Sequence, residues 1–193
     1  MSAAAISGPL VEIALPQERP ARLFAQVFLV LAGTALIALA AKVTVPFWPV
    51  PMTLQTLAIF LISAAYGRNL AVATVLTYLV EGALGLPVFA TGAGLAYMAG
   101  PTGGYLIGFV VAAAIVGQAA DWGFHRNAFR LFGAMMLGEV AILALGAAWL
   151  AVLMGGEKAL AFGVGPFIVA DVVKIALATA IVRAGASLTA GRQ

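Results

Sequence analysis

FIVADVVKIALATAIVRAGA, residues 167–186, is the stretch on which the reading of this chain turns. It is long enough to cross a bilayer, which takes about 20 mostly apolar residues. It also carries an acid, Asp171, and a base, Lys174, well inside the apolar run. A charged side chain at bilayer depth costs roughly 2.5–3.5 kcal/mol on insertion scales, so two of them need a physical reason. Three residues apart on a helix they share a face, with Cβ atoms about 5–6 Å apart. They can pair with each other, and they can jointly face a polar molecule. The remainder of the chain then has one task, to keep that face away from lipid.

Composition agrees with a membrane setting. The 193 residues are 64% hydrophobic and 9% charged, and mean hydropathy is +1.11. A soluble domain is nearer half apolar and a quarter charged, so the chain reads as an integral membrane protein, and its length suits one bundle. The absence of cysteine excludes disulfides, a thiol nucleophile and any cysteine metal site. The one histidine, His125, falls in the loop DWGFHRNAFR; it is expected to be solvated, and no metal site is expected. Residues 1–20 hold Glu12, Glu18, Pro9, Pro16 and Pro20 and no basic opening run, which does not make a signal peptide. They are expected to form a cytoplasmic tail, with the membrane domain at 21–193.

Six apolar segments follow: 22–41, 52–66, 69–86, 102–120, 130–154 and 166–186. The expected fold is therefore all-α, a six-transmembrane-helix bundle, although 52–66 is short enough for a re-entrant segment. An even number of spans puts both ends on one side. That side holds Arg19, Arg22, Arg68, Arg126, Arg130, Arg183 and Arg192, seven of the ten bases, against Lys42 and Lys158 on the other. The positive-inside rule makes both termini cytoplasmic. The bases form no run, so they signal topology and not nucleic-acid binding.

The outer loops differ in character. KVTVPFWPVP (42–51) is stiffened by three prolines and is apolar. PVFATGAGLAYMAGP (87–101) is glycine-rich and uncharged, suited to tuck into the mouth of a bundle, and 155–165 carries Glu157 and Lys158. At 1.5 Å per residue, Glu81 and Asp171 each fall about 8–9 Å below the outer ends of their segments. One layer could then hold Glu81, Asp171 and Lys174, with Tyr78, Thr77 and Gln55 as polar neighbours. Glu139 falls nearer the midplane and reads as structural. On the first helix the small residues Ala21 and Ala25, four apart, permit close approach of another helix; they suit either generic packing or docking of a second membrane subunit.

Some activities are excluded or disfavoured. No nucleotide-binding GxxxxGK[ST] motif is present, so the chain does not hydrolyse ATP. An intramembrane hydrolase needs a base at the depth of its nucleophile; Ser63 lies in a helix but the histidine lies in a loop. No catalytic residue is expected. An ion-coupled secondary transporter, relaying protons through Glu81, Glu139 and Asp171, is the alternative reading, although no inverted repeat is evident.

VPFWPVPMTLQT (45–56), GALGLPVFA (82–90), GPTGGYLIGF (100–109) and DVVK (171–174) occur in this order and spacing. Together they resemble the BioY family, the biotin-specific S-components of prokaryotic energy-coupling factor (ECF) transporters. The resemblance implies a six-helix bundle in the plasma (inner) membrane, with a vitamin pocket near the outer face closed by the first loop. It implies biotin as the transported ligand, no cofactor, and as partners a transmembrane coupling subunit and ATPase subunits, with Ala21 and Ala25 at the docking face. It makes Asp171 and Lys174 the holders of the ureido ring. The chemistry suits them: a carboxylate accepts from ureido N–H and an ammonium donates to its C=O, both charge-assisted. Phe47, Trp48, Val88, Phe89 and Tyr105 could wall the apolar part of the ligand. The ligand carboxylate could meet the amides of Gly103 and Gly104, at a helix entry whose dipole favours anions. The loop TGAGLAYM holds no arginine for that purpose.

Overall fold

The computed structural model describes residues 8–190. The chain runs α1 (Arg19–Lys42), β1 (Thr44–Val45), β2 (Met52–Thr53), α2 (Gln55–Tyr66), α3 (Arg68–Ala83), α4 (Gly94–Met98), α5 (Gly103–Asp121), α6 (Ala128–Met154), α7 (Gly156–Gly163) and α8 (Phe167–Ala190). Among the described residues, α1, α5 and α6 are each long and apolar enough to cross a membrane. The bent pair α7 and α8, which meet at 44°, makes a fourth if taken as one span. Helix α2 is apolar but has 12 residues, about 18 Å. It starts three residues after Met52 because Met52–Thr53 pairs with Thr44–Val45 in an antiparallel hairpin.

Helix α5 is the hub, packed on α2, α3 and α6. Small residues permit this. A Cβ at Gly108 would stand 2.7 Å from Ile142 Cα, so the backbones of α5 and α6 meet nearly in contact. Gly146 of α6 gives way to the ring of Tyr105. The core-facing side of α6 repeats at helical spacing, through Leu131, Met135, Gly138, Glu139, Ile142, Gly146 and Leu150. By contrast α1 presents Leu23, Phe24, Val27, Phe28, Leu31 and Leu39 outward, as a lipid-facing helix does.

One end of the bundle gathers the arginines. Gly67 alone links α2 to α3, at φ 77 and ψ 175, a conformation open only to glycine. The Arg68 amide donates to Asp121 Oδ2 at 3.2 Å and its guanidinium to Gln118 Oε1 at 3.1 Å. Asn127 caps α6 by accepting from the Arg130 amide at 3.1 Å. Before α1, a single 3-10 turn, Leu10–Ile13, lies against α2. Glu12 pairs with Arg22 at 2.7 Å, and Leu15 is buried. Residues 1–7 of the expected tail lie outside the described residues. His125 departs from expectation. It is buried, in a 3-10 turn beside Arg183, whose guanidinium donates to the carbonyls of His125 and Arg126. Its Nδ1 has no partner among the described residues. Burial, then the Arg126 charge, push its pKa down from the usual 6.5.

Candidate functional site

Asp171 and Lys174 face the interior one helical turn apart, 2% and 8% exposed. Lys174 Nζ stands 2.7 Å from Asp171 Oδ1. Thr56 of α2 completes a triangle: its hydroxyl accepts from Lys174 Nζ at 3.3 Å and donates to Asp171 Oδ1 at 3.5 Å. A threonine is suited to this place because its hydroxyl is both donor and acceptor.

This cluster borders a cavity of about 50 Å³. Its polar wall is Thr53, Gln55, Thr56, Thr102, Glu139 and Asp171. Apolar walls come from Val50 and Pro51 of the hairpin, Tyr105, Leu106 and Phe109 of α5, and Phe167 of α8. Pockets for small molecules usually enclose about 300–1,000 Å³, so this is a contracted form of any such site. A second, almost wholly apolar crevice of about 400 Å³ runs between α6, α7 and α8 and reaches Glu139, Leu143 and Asp171 from the other side.

Supporting bonds fix the polar wall. Gln55 Nε2 donates to Tyr78 Oη at 2.8 Å, and Tyr78 in turn donates to the Val88 carbonyl at 3.0 Å. The Gln55 oxygen accepts from Thr53 Oγ1 at 3.1 Å. Tyr105 donates to the Gly163 carbonyl at 2.7 Å, tying α5 to α7. Lys42 Nζ donates to the Phe89 carbonyl at 2.6 Å, tying the end of α1 to the glycine-rich segment.

Of the residues singled out in the sequence, Gln55, Tyr105 and Asp171 line the cavity. Lys174 and Tyr78 stand one layer behind it, bonded to wall residues. Glu81 is placed elsewhere. Because α3 ends at Ala83, not at 86, Glu81 sits in its last turn, and it accepts from Thr34 of α1 at 3.1 Å. Thr77 bonds its own helix at Ala73 and faces a crevice beside Leu23 and Gln26. Phe47 and Trp48 point out of the hairpin, 43% and 72% exposed, and Trp48 meets Phe162 of α7 edge-on, centroids 6.1 Å apart. Val50 and Pro51 turn inward in their stead. Phe89 is fully buried between Tyr78 and Tyr97, behind the wall. Gly103 and Gly104 are explained by packing: a Cβ at either would collide with the Met98 or Leu145 carbonyl. Several wall residues escaped the sequence reading, Thr53, Thr56 and Thr102 among them. Thr56 could have been found from its place beside Gln55 in MTLQT. Glu139 reads as structural by depth, yet it lines both cavities.

Apolar helices long enough to cross a membrane, around a small cavity with a buried ion pair at its wall, define a helical membrane protein with a candidate solute site. The BioY family matches residues 14–190, and the chain belongs to it. It is 40% identical over 157 residues to the "Probable biotin transporter BioY" of Pyrococcus horikoshii, covering 81% of this chain and 93% of that one. To the "Biotin transporter BioY" of Thermotoga maritima it is 37% identical over 151 residues, covering 77% and 88%. Its fold is similar to a crystal structure described as the "S-component for biotin from an ECF-type ABC transporter", with TM-score 0.72 and 23% identity over 89% of this chain and 95% of that chain.

Proposed function

We propose that this chain is the biotin-binding S-component of an ECF transporter, and not an enzyme. It captures biotin at the outer face, and partner subunits supply ATP hydrolysis. The observation that carries this reading is the Asp171–Lys174–Thr56 triangle beside a walled cavity. A cyclic urea has N–H donors flanking a C=O acceptor. Asp171, at the wall, meets an N–H, and Lys174 reaches the C=O from behind Thr56 once the cavity widens. The bicyclic ring and aliphatic tail rest on Val50, Tyr105, Phe109 and Phe167. Biotin needs more room than about 50 Å³, so entry displaces the hairpin over residues 44–53, which covers the cavity with Val50 and Pro51.

In the membrane the reading is of six traversing helices, α1, α2, α3, α5, α6 and α8, with both termini on the arginine-rich cytoplasmic side of a prokaryotic plasma membrane. The short α2 and α3 cross by being enclosed within the bundle. Ala21 and Ala25 of α1 offer a small-residue face to a transmembrane coupling subunit. Family membership and the biotin-transporter names of the relatives support the reading.

The test is to purify the chain alone in detergent and titrate it with biotin. Saturable one-to-one binding is expected, and no binding by properly inserted protein would contradict the reading. Uptake that needs ATP and survives collapse of the proton gradient separates it from an ion-coupled secondary transporter.

A further inference from the structure

Glu139 is a buried acid that the triangle does not use. It lies on the core-facing stripe of α6, 4% exposed, and lines the cavity. Neither of its oxygens has a hydrogen-bond partner among the described residues. It shares the lining of both cavities with Asp171. Leaving a buried polar group unsatisfied is costly, so this carboxyl has a partner in the working protein.

Asp171 already has a partner in the Lys174 ammonium at 2.7 Å. Glu139 has none among the described bonds, although it lines the cavity. A carboxyl group keeps an acceptor oxygen whether or not it carries a proton, so Glu139 can accept a hydrogen bond from a ligand in the cavity.

We propose that Glu139 is a specificity-determining contact of the ligand, its carbonyl oxygen accepting the second N–H of a cyclic urea whose first N–H is held by Asp171. This inference rests on the biotin reading. It gives the head group a full complement: two acceptors, Asp171 and Glu139, on either side of one donor, Lys174. A lactone or a cyclic carbonate of the same shape lacks the N–H and leaves Glu139 unpaired, so the site rejects it. A pocket built to bond a polar group discriminates strongly against analogues without it.

The test is a binding cycle with biotin and its two mono-N-methyl derivatives in the ureido ring. Glu139→Leu is expected to weaken biotin by about thirtyfold. Glu139→Gln, which keeps a carbonyl acceptor, should recover most of that loss. For one of the two N-methyl isomers, Glu139→Leu should cost less than about twofold, since the hydrogen it served is already gone. Equal losses for all three ligands would overturn the proposal in favour of a structural role, as would a Glu139→Gln variant as weak as Glu139→Leu. If Glu139→Leu cannot be purified, Glu139→Met takes its place. Asp171→Asn is run beside them. Loss there with no loss at Glu139 overturns this inference and leaves the biotin reading standing. No loss at either overturns both.

Discussion

Asp171 and Glu81 are acids that the sequence puts at nearly the same depth, and the fold treats them in opposite ways. Asp171, near the start of α8, is sealed against Lys174, Thr56 and a cavity. Glu81, in the last turn of α3, is half-buried and meets only the hydroxyl of Thr34 among the described bonds. The lesson is that counting residues along a helix gives depth but not azimuth. Azimuth comes from which neighbour packs on which face. Helix α8 turns its acid towards α2, whereas α3 gives its innermost face to Ala71, Val75, Tyr78 and Gly82, and Glu81 falls with Thr74 on the side that meets α1.

The contrast can be broken by substitution, and the expected effects differ by orders of magnitude. Asp171→Asn removes the ionised acceptor and leaves the Lys174 ammonium without its counter-ion. Biotin affinity should fall by at least about a hundredfold in an equilibrium titration. Lys174→Met keeps the stem and deletes the charge. It should cost about ten- to thirtyfold, with the larger part appearing as faster release in a stopped-flow displacement. Thr56→Val removes the hydroxyl that bridges the pair without changing shape much, and about a three- to tenfold loss is expected. Glu81→Gln keeps an acceptor for Thr34 and should leave affinity within about twofold of the parent. A large loss there would put the Glu81 side chain at the ligand and erase the contrast.

At the arginine-rich end, His125 offers a smaller, pH-dependent effect. Its pKa is pushed below 6.5 by burial and then by Arg126. The unfolded chain therefore takes up a proton before the folded one does as pH falls. Folded-state stability is fully present above pH 6.5 and declines as pH drops through that value towards the lower, folded-state pKa. Thermal unfolding in detergent at pH 7.5 and 5.5 should show this decline, and His125→Gln should reduce it. A His125→Gln variant that loses as much stability between those pH values as the parent would show that the imidazole is not its source.

Much of this organisation was legible in the sequence. The composition and the apolar runs define a helical membrane protein, and the ends of the six expected helices fall within four residues of expectation. The DVVK spacing alone puts Asp171 and Lys174 on one face. Other features were not legible, for physical reasons. Pairing of Thr44–Val45 with Met52–Thr53 shortens α2, and nothing in a proline-rich run announces which residues a two-residue ladder will join. The same hairpin turns Val50 inward and Trp48 outward, against the expectation that the largest rings would cover a ligand. Residues 156–163 form a helix where a loop is expected, since GEKALAFG is too short for its periodicity to stand out. Gly103 and Gly104 read as an anion cradle, and only the nearness of Met98 in α4 and Leu145 in α6 shows that a side chain at either would collide.

The most direct test of the central claim is one assay on two variants: radiolabelled biotin at equilibrium with purified, correctly inserted Asp171→Asn and Glu81→Gln. The account predicts that Glu81→Gln retains saturable binding close to the parent while Asp171→Asn loses it by about two orders of magnitude. Equal losses in the two, or a greater loss for Glu81→Gln, would contradict it.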